Sequence, residues 1–506
     1  MRDALEDPKL FGHPRIMGGE TWLGWRSLLI AAMGEPLKDD ERGVFKALTG
    51  REHEPGEPVE ELWNVVGRRG GKTRGAAVLA TYFACCVDYE DKLAPGEIGV
   101  IPVIAASTYQ AGKAISYIRG VLETSPLLGE QRAGEGTSDT IRFRNNVDIE
   151  VRPASSRTIR SMTAVAAVCD EVAFWMTDNS VNPDEEILNA LRPALATTGG
   201  PLIVISSPYA RKGELWKTYR KDFGAEGDPL ILVAKAASRT LNPQLSESVV
   251  KRAYARDPAK AAAEYGGEFR TDVEGTFTIE QIEAVTVSGV REIGYIGGKQ
   301  YSAFVDPSGG SKDSMTLAVG HYEGSRFNGT GKVVIDCVVE KKPPFSPEQT
   351  VDEFCAVLKR YKVSKVRGDR YAGEWPRERF RKNLVQYEVS DKTKSDLYRD
   401  LIPLVNSGGI ALPDIEAVRT QLVGLERRTA RGGKDSIDHA PGGHDDLANA
   451  VAGAAAFATG GSFYTWENLG VGPRPEGQED ADDDSRWTRA RLMDHLARHG
   501  FSGGFR

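Results

Sequence analysis

The chain has 506 residues, more than one hydrophobic core usually serves, so two or more domains are expected. It is 40% hydrophobic and 27% charged, with no apolar run near the roughly 18 residues of a membrane span. The opening MRDALEDPKLFGHP lacks the apolar centre of a secretion signal, so a cytoplasmic protein is expected and a membrane protein is not.

The five cysteines sit in apolar segments without CxxC spacing and read as buried reduced thiols rather than a disulfide framework. A net charge of −7 argues weakly against a nucleic-acid partner. That charge is uneven, however: EGQEDADDDSR is acidic, whereas RYKVSKVRGDRY, RERFRKN and ERRTARGGK are basic, so DNA binding through local patches stays open.

Residues 62–66 (LWNVV), 99–106, 164–169 (AVAAVC) and 201–206 (PLIVIS) read as short buried strands, with helical patterns such as 184–196 between them. That alternation predicts an α/β fold with a mainly parallel sheet. The first strand runs into VVGRRGGKT, residues 65–73, which resembles a phosphate loop although Val66 stands where GxxxxGK[ST] has its first glycine. In such a loop backbone N–H groups at a helix N-terminus converge on phosphate oxygens. Gly70 and Gly71 would allow close approach, Lys72 would reach the β/γ-phosphates, and Thr73 would ligate magnesium. AVAAVC ends in Asp170-Glu171, the arrangement in which the aspartate holds magnesium and the glutamate polarises the attacking water. At the end of PLIVIS, Ser206 and Ser207 are placed to sense the γ-phosphate or, more blandly, to cap a turn. Together these elements favour ATP hydrolysis.

The sequence turns polar and helical from about residue 240, and a second α/β unit begins near 299. The expected division is 1–270 for the N-terminal segment and ATPase domain with its linker helices, 271–460 for a second domain, and 461–506 for a flexible acidic tail. That tail contains one short helical stretch, SRWTRARLMDHLARH. Asp306 ends the strand-like YSAFVD, Asp369 follows a short strand in VSKVRGDRY, and Asp445 and Asp446 open the helix HDDLANAVAGAAAF. Each alone reads as a turn or cap residue. As an ordered set they fit a nuclease in which acidic residues hold two divalent metals roughly 4 Å apart. The residues do not decide which of Asp445 and Asp446 is the ligand. Glu340 is a weaker fourth candidate, and His439 and His444 read mainly as solvated loop residues.

An ATPase followed by such an acidic set resembles the large terminase subunit of tailed bacteriophages, over about residues 60 to 460. GRRGGKT resembles its Walker A variant, VCDEVAFW its Walker B, ISSP its coupling motif and AEYGGEFRTD the stretch leading to its linker. VDPSGGSKDS, GDRYAGEW and GGHDDLANAVAG resemble its three nuclease motifs. The resemblance implies a P-loop (ASCE-type) ATPase domain and an RNase H-like nuclease domain with a mixed sheet. It implies ATP with Mg2+ at the first site, bound by Gly67, Arg68, Arg69, Gly70, Gly71, Lys72, Thr73, Asp170, Ser206 and Ser207. Arg68 would answer the γ-phosphate and Glu171 would complete hydrolysis. Two Mg2+ or Mn2+ would be held by Asp306, Asp369 and one of Asp445 and Asp446. The implied partners are double-stranded DNA, the procapsid portal protein, the small terminase subunit and further copies in a ring, a pentamer, on the portal. The implied location is the host cytoplasm, transiently at the portal and not in the mature virion. A helicase carrying a resolvase domain and a non-catalytic scaffold are the competing readings.

Overall fold

The apolar runs of the first half form eight strands: β1 (Glu61–Val66), β2 (Gly99–Ala105), β3 (Thr140–Arg142), β4 (Val147–Pro153), β5 (Thr163–Ala164), β6 (Ala167–Asp170), β7 (Leu202–Ser206) and β8 (Ile231–Ala236). In this computed structural model they lie in the order β3-β4-β2-β6-β7-β1-β8, with β5 beside β2. Every pairing is parallel except β3 with β4. The structure describes residues 1–134, 136–154, 159, 162–175, 180, 182–311, 313–324, 331–369, 375–428 and 436–459, all within one compact unit. The tail expected from 461 onward lies outside these residues.

Successive side chains of a strand point to opposite faces. Leu62, Val66, Ile203 and Ile205 therefore enter one apolar cluster, and Trp63, Val65, Leu202 and Val204 the other. A sheet covered on both faces explains why β1, β2 and β7 are buried along their whole length. The run 164–169, expected as one strand, divides in two. Val165 N–H still bonds to the Val100 carbonyl of β2, whereas Ala167 N–H has moved over to the Pro201 carbonyl at the start of β7. The N-terminal segment belongs to this body: Trp25 is buried and its indole N–H donates to the Gly70 carbonyl at 2.9 Å.

The second half forms β9 (Val273–Gly275), β10 (Thr286–Val287), β11 (Tyr301–Asp306), β12 (Met315–Glu323), β13 (Lys332–Lys341), β14 (Lys365–Gly368), β15 (Gln386–Val389), β16 (Ile410–Pro413), β17 (Leu425–Arg428) and β18 (Ser436–His439). A seven-stranded mixed sheet runs β10-β16-β13-β12-β11-β14-β15, and a small antiparallel sheet runs β18-β17-β9. The helix Asp446–Ala458 shares a core with Phe304, Ala318 and Ile335, while Phe354, Leu358 and Phe380 share the other core with Ala303 and Val305. The cysteines are free; Cys169, Cys337 and Cys355 are buried as expected, but Cys86 is exposed at the end of its helix. No helix among the described residues is long and apolar enough to cross a membrane.

Candidate active sites

Strand order brings the first constellation together. Because β7 lies between β1 and β6, the C-terminal ends of three adjacent parallel strands present the phosphate loop, Ser206-Ser207 and Asp170-Glu171 side by side. The loop turns at Arg69 (φ 66°) and Gly71 (φ 90°), and Lys72 opens the helix Lys72–Cys86, with Thr73 in its first turn. A side chain at Gly67 or Gly70 would meet neighbours at 2.5 Å, so these glycines let the loop close on itself.

The Lys72 ammonium is buried, lies 3.0 Å from Glu171 Oε1 and donates to Ser207 Oγ at 2.7 Å. Glu171 Oε2 accepts from the Ser207 N–H at 2.9 Å and from Ser206 Oγ at 3.4 Å. Glu171 holds a left-handed backbone (φ 55°), a cost of roughly 1–3 kcal/mol that persists mainly where a site requires the position. Asp170 is buried and its Oδ1 has no hydrogen-bond partner among the described residues. Burial first, then the Glu171 charge, pushes its carboxyl up to about 7 against the opposing pull of Lys72. A buried, unpartnered carboxylate oxygen beside a phosphate loop fits a magnesium ligand. Arg68 points away, its exposed guanidinium 3.3 Å from Glu264; the Arg69 carbonyl accepts from Asn242.

The second constellation also rests on neighbouring strand ends. β11 and β14 are parallel, with Val305 opposite Gly368, so Asp306 and Asp369 emerge together. The amide Nδ2 of Asn449 donates to Asp306 Oδ2 at 2.9 Å and to Asp369 Oδ2 at 2.6 Å. The two oxygens are therefore no farther apart than those contacts laid end to end. Burial raises Asp306 most, up to about 8; the Asn449 bond opposes this, and the charges of Asp369 and Asp446 add to it. Asp369 is raised by burial as well, again opposed by Asn449.

The structure separates the adjacent pair. Asp445 accepts the Lys394 ammonium at 2.7 Å and the Tyr398 hydroxyl at 2.8 Å. Asp446 has no ion pair among the described residues; burial and then the Asp445 charge raise it to about 6. Three half-buried carboxylates, all shifted upward, suit divalent cations. Asp438, His439 and Asp445 also cluster, but the Lys394 ammonium already stands 3.7 Å from Asp438 and 2.7 Å from Asp445. Glu340 shares a row with Thr316 and Asp306 but accepts from Ser314 at 2.8 Å. His439 Nδ1 lies 2.8 Å from the Ala440 carbonyl.

Sequence reasoning missed Asn449, Lys394 and Tyr398. Asn449 carried a legible signal: it stands three residues after Asp446, and i,i+3 spacing puts both on one helix face. Lys394 and Tyr398 carried none, because their partner lies about fifty residues downstream.

The fold is thus a mainly parallel sheet with a phosphate-loop-like turn at its strand ends and a mixed sheet with an acidic centre. No protein-family model and no curated protein matches the chain. Among solved structures it is similar to the HK97 bacteriophage large terminase, with 15% identity, 86% of this chain and 99% of that chain covered, and a TM-score of 0.37. It is similar to the large terminase of the thermophilic bacteriophage D6E in complex with ADP, with 12% identity, 85% and 98% covered, and a TM-score of 0.36. It is also similar to the large terminase nuclease of the thermophilic phage G20c with bound magnesium, with 18% identity, 36% and 96% covered, and a TM-score of 0.30.

Proposed function

We propose that this protein is the large subunit of a bacteriophage terminase, which drives double-stranded DNA into a procapsid with ATP and cuts concatemeric DNA to begin and end each packaging event. The observation that carries the reading is the presence, in one compact unit, of two separate centres: Lys72-Glu171-Ser207 at one sheet and Asp306-Asn449-Asp369 at the other.

At the first centre, Lys72 and the loop N–H groups bind the phosphates and Glu171 orients the attacking water. Magnesium held by Thr73 and Asp170 would neutralise phosphate charge. Ser206 and Ser207 bond to Glu171 and Lys72, so loss of the γ-phosphate is felt in the loop after β7. At the second centre, cations held by Asp306, Asp369 and Asp446 would supply water activation and charge neutralisation for phosphodiester hydrolysis. The chain's own part there is to hold three carboxylates together. The reading includes the domain division at about residue 270, a pentameric ring on the portal, a small terminase subunit as partner, and a transient location at the portal in the host cytoplasm.

The test is ATP hydrolysis with and without double-stranded DNA, beside cutting with Mg2+, with Mn2+ and with a chelator. DNA-stimulated hydrolysis lost in Lys72→Ala, with metal-dependent cutting lost in Asp306→Asn, supports the proposal. Cutting that survives chelation, or normal ATP turnover in Glu171→Ala, overturns it.

A further inference from the structure

Asp306 and Asp369 present an electrostatic problem. They stand at the ends of adjacent parallel strands, both half-buried. Two ionised carboxylates so placed repel each other strongly. The cation Lys394 is committed to Asp445 and Asp438. The group that reaches both is the neutral amide of Asn449, fully buried, whose nitrogen gives one N–H to each carboxylate.

The fold goes to some length to put it there. Thr316 Oγ1 of β12 donates to the Asp446 carbonyl at 2.7 Å, anchoring the start of the helix over the sheet. One turn beyond Asn449, Gly453 lets the helix lie directly on the Phe304 ring. The Asn449 carbonyl oxygen, meanwhile, is buried without a hydrogen-bond donor among the described residues. That arrangement is unfavourable for stability and is the kind retained where the other half of the side chain is required.

We propose that Asn449 is a positioning residue of the acidic centre: its amide nitrogen holds the Asp306 and Asp369 carboxylates facing one another, so that a divalent cation meets a formed pair rather than two groups pushed apart. This rests on the nuclease reading and adds to it the residue that sets cation affinity. Partners that orient metal-binding groups in this way typically change affinity by about 10–100-fold when removed.

The experiment is Mn2+ binding to the full chain by calorimetry, beside thermal melting with chelator and with Mn2+, and ATP turnover as a control. Asn449→Leu keeps the volume but loses the donors, and Asn449→Asp keeps the shape but replaces the donors with a third negative charge. The expected result for Asn449→Leu is Mn2+ binding weakened about 10–100-fold with ATP turnover unchanged. For Asn449→Asp it is a lower melting temperature in chelator and a larger rise on adding Mn2+ than the parent shows. If Asn449→Leu does not fold, the Asn449→Asp comparison decides. Mn2+ affinity within about twofold of the parent in Asn449→Leu, or an unchanged Mn2+-induced rise in Asn449→Asp, means that the residue only packs the helix, and overturns the proposal. Failure of the nuclease reading looks different: the parent then binds no Mn2+, or binds it equally well as Asp306→Asn.

Discussion

The phenol of Tyr209 donates a 2.5 Å hydrogen bond to Oε2 of Glu426, across 217 residues of chain. Glu426 is fully buried in β17, and the Lys212 ammonium reaches its other oxygen at 2.7 Å. Tyr209 stands two residues beyond Ser207, and its ring lies 5.3 Å from that of Phe174, three residues beyond Glu171. Glu426 is paired in register with Asp438 of β18, on the path to Asp445. One buried contact thus joins the loop that touches Lys72 and Glu171 to the small sheet beside the acidic centre.

Removing the phenol takes a hydrogen-bond donor from a buried carboxylate that keeps its ion pairs with Lys212 and Arg428. Tyr209→Phe should therefore cost about 1–3 kcal/mol of stability. Lys212 is 41% exposed and should matter less, because solvent screens it. Denaturant unfolding of Tyr209→Phe, Glu426→Gln and the double variant checks this through their coupling. Strict additivity of the two single effects would show that the contact contributes nothing of its own.

At the first centre the Glu171 carboxylate occupies the lysine that, on the proposed ATPase reading, would serve the phosphates. On that reading ATP would have to draw Lys72 away before Glu171 could face a water. Glu171→Gln would weaken that competition while removing the group proposed to polarise water. ATP should bind severalfold more tightly to Glu171→Gln, and turnover should fall by about two orders of magnitude or more. Equal ATP affinity in parent and variant, measured by calorimetry with Mg2+, would rule out the competition.

Much of the first half was legible because a doubly covered parallel sheet writes itself as short apolar runs. The expected strands at 62–66, 99–106 and 201–206 match β1, β2 and β7, and the helix expected at 184–196 is Pro183–Ala196. β3 and β4 escaped notice because a sheet margin alternates with charged residues such as Arg142, Asp148 and Glu150 and carries no apolar run. The aspartates were legible as strand and helix ends, and Asn449 through its spacing from Asp446. Lys394, Tyr398 and, elsewhere, the Tyr209–Glu426 bond were not, because they are fixed by long-range packing with no local pattern.

Stability at the acidic centre should run opposite to ordinary acid denaturation. Asp306 is raised from an ordinary 3.8 to about 8, so at intermediate pH the folded chain holds a proton that the unfolded chain releases. A raised carboxylate contributes stability that is fully present below the unfolded value and lost as pH rises through the folded one. In chelator, Asp306→Asn should melt above the parent on the alkaline side of that window, and the difference should shrink as pH falls toward the ordinary value. Saturating Mg2+ should remove or reverse the difference, since the variant has lost a ligand charge. A gap between variant and parent that does not change with pH in chelator would contradict the assignment.

Gly453 offers the sharpest test of how the helix Asp446–Ala458 is seated. Alanine is ordinarily the better helix former by about 1 kcal/mol, so on propensity alone Gly453→Ala should stabilise. Here an added Cβ would stand 2.1 Å from Phe304 Cγ and 2.3 Å from Cδ2, within a ring that is itself fully buried. Overpacking of this kind typically costs 1–3 kcal/mol, and at these distances either the ring or the helix must shift, so the clash should outweigh the propensity gain. Gly453→Ala is therefore expected to lower the melting temperature. Because the helix also carries Asp446 and Asn449, lifting it from β11 should weaken Mn2+ binding as well. Shortening the obstacle with Phe304→Leu in the same chain should recover part of both losses, although Phe304→Leu alone destabilises the core. A Gly453→Ala protein as stable as the parent, or a double variant no better than the sum of its parts, would mean that the helix does not rest on this glycine.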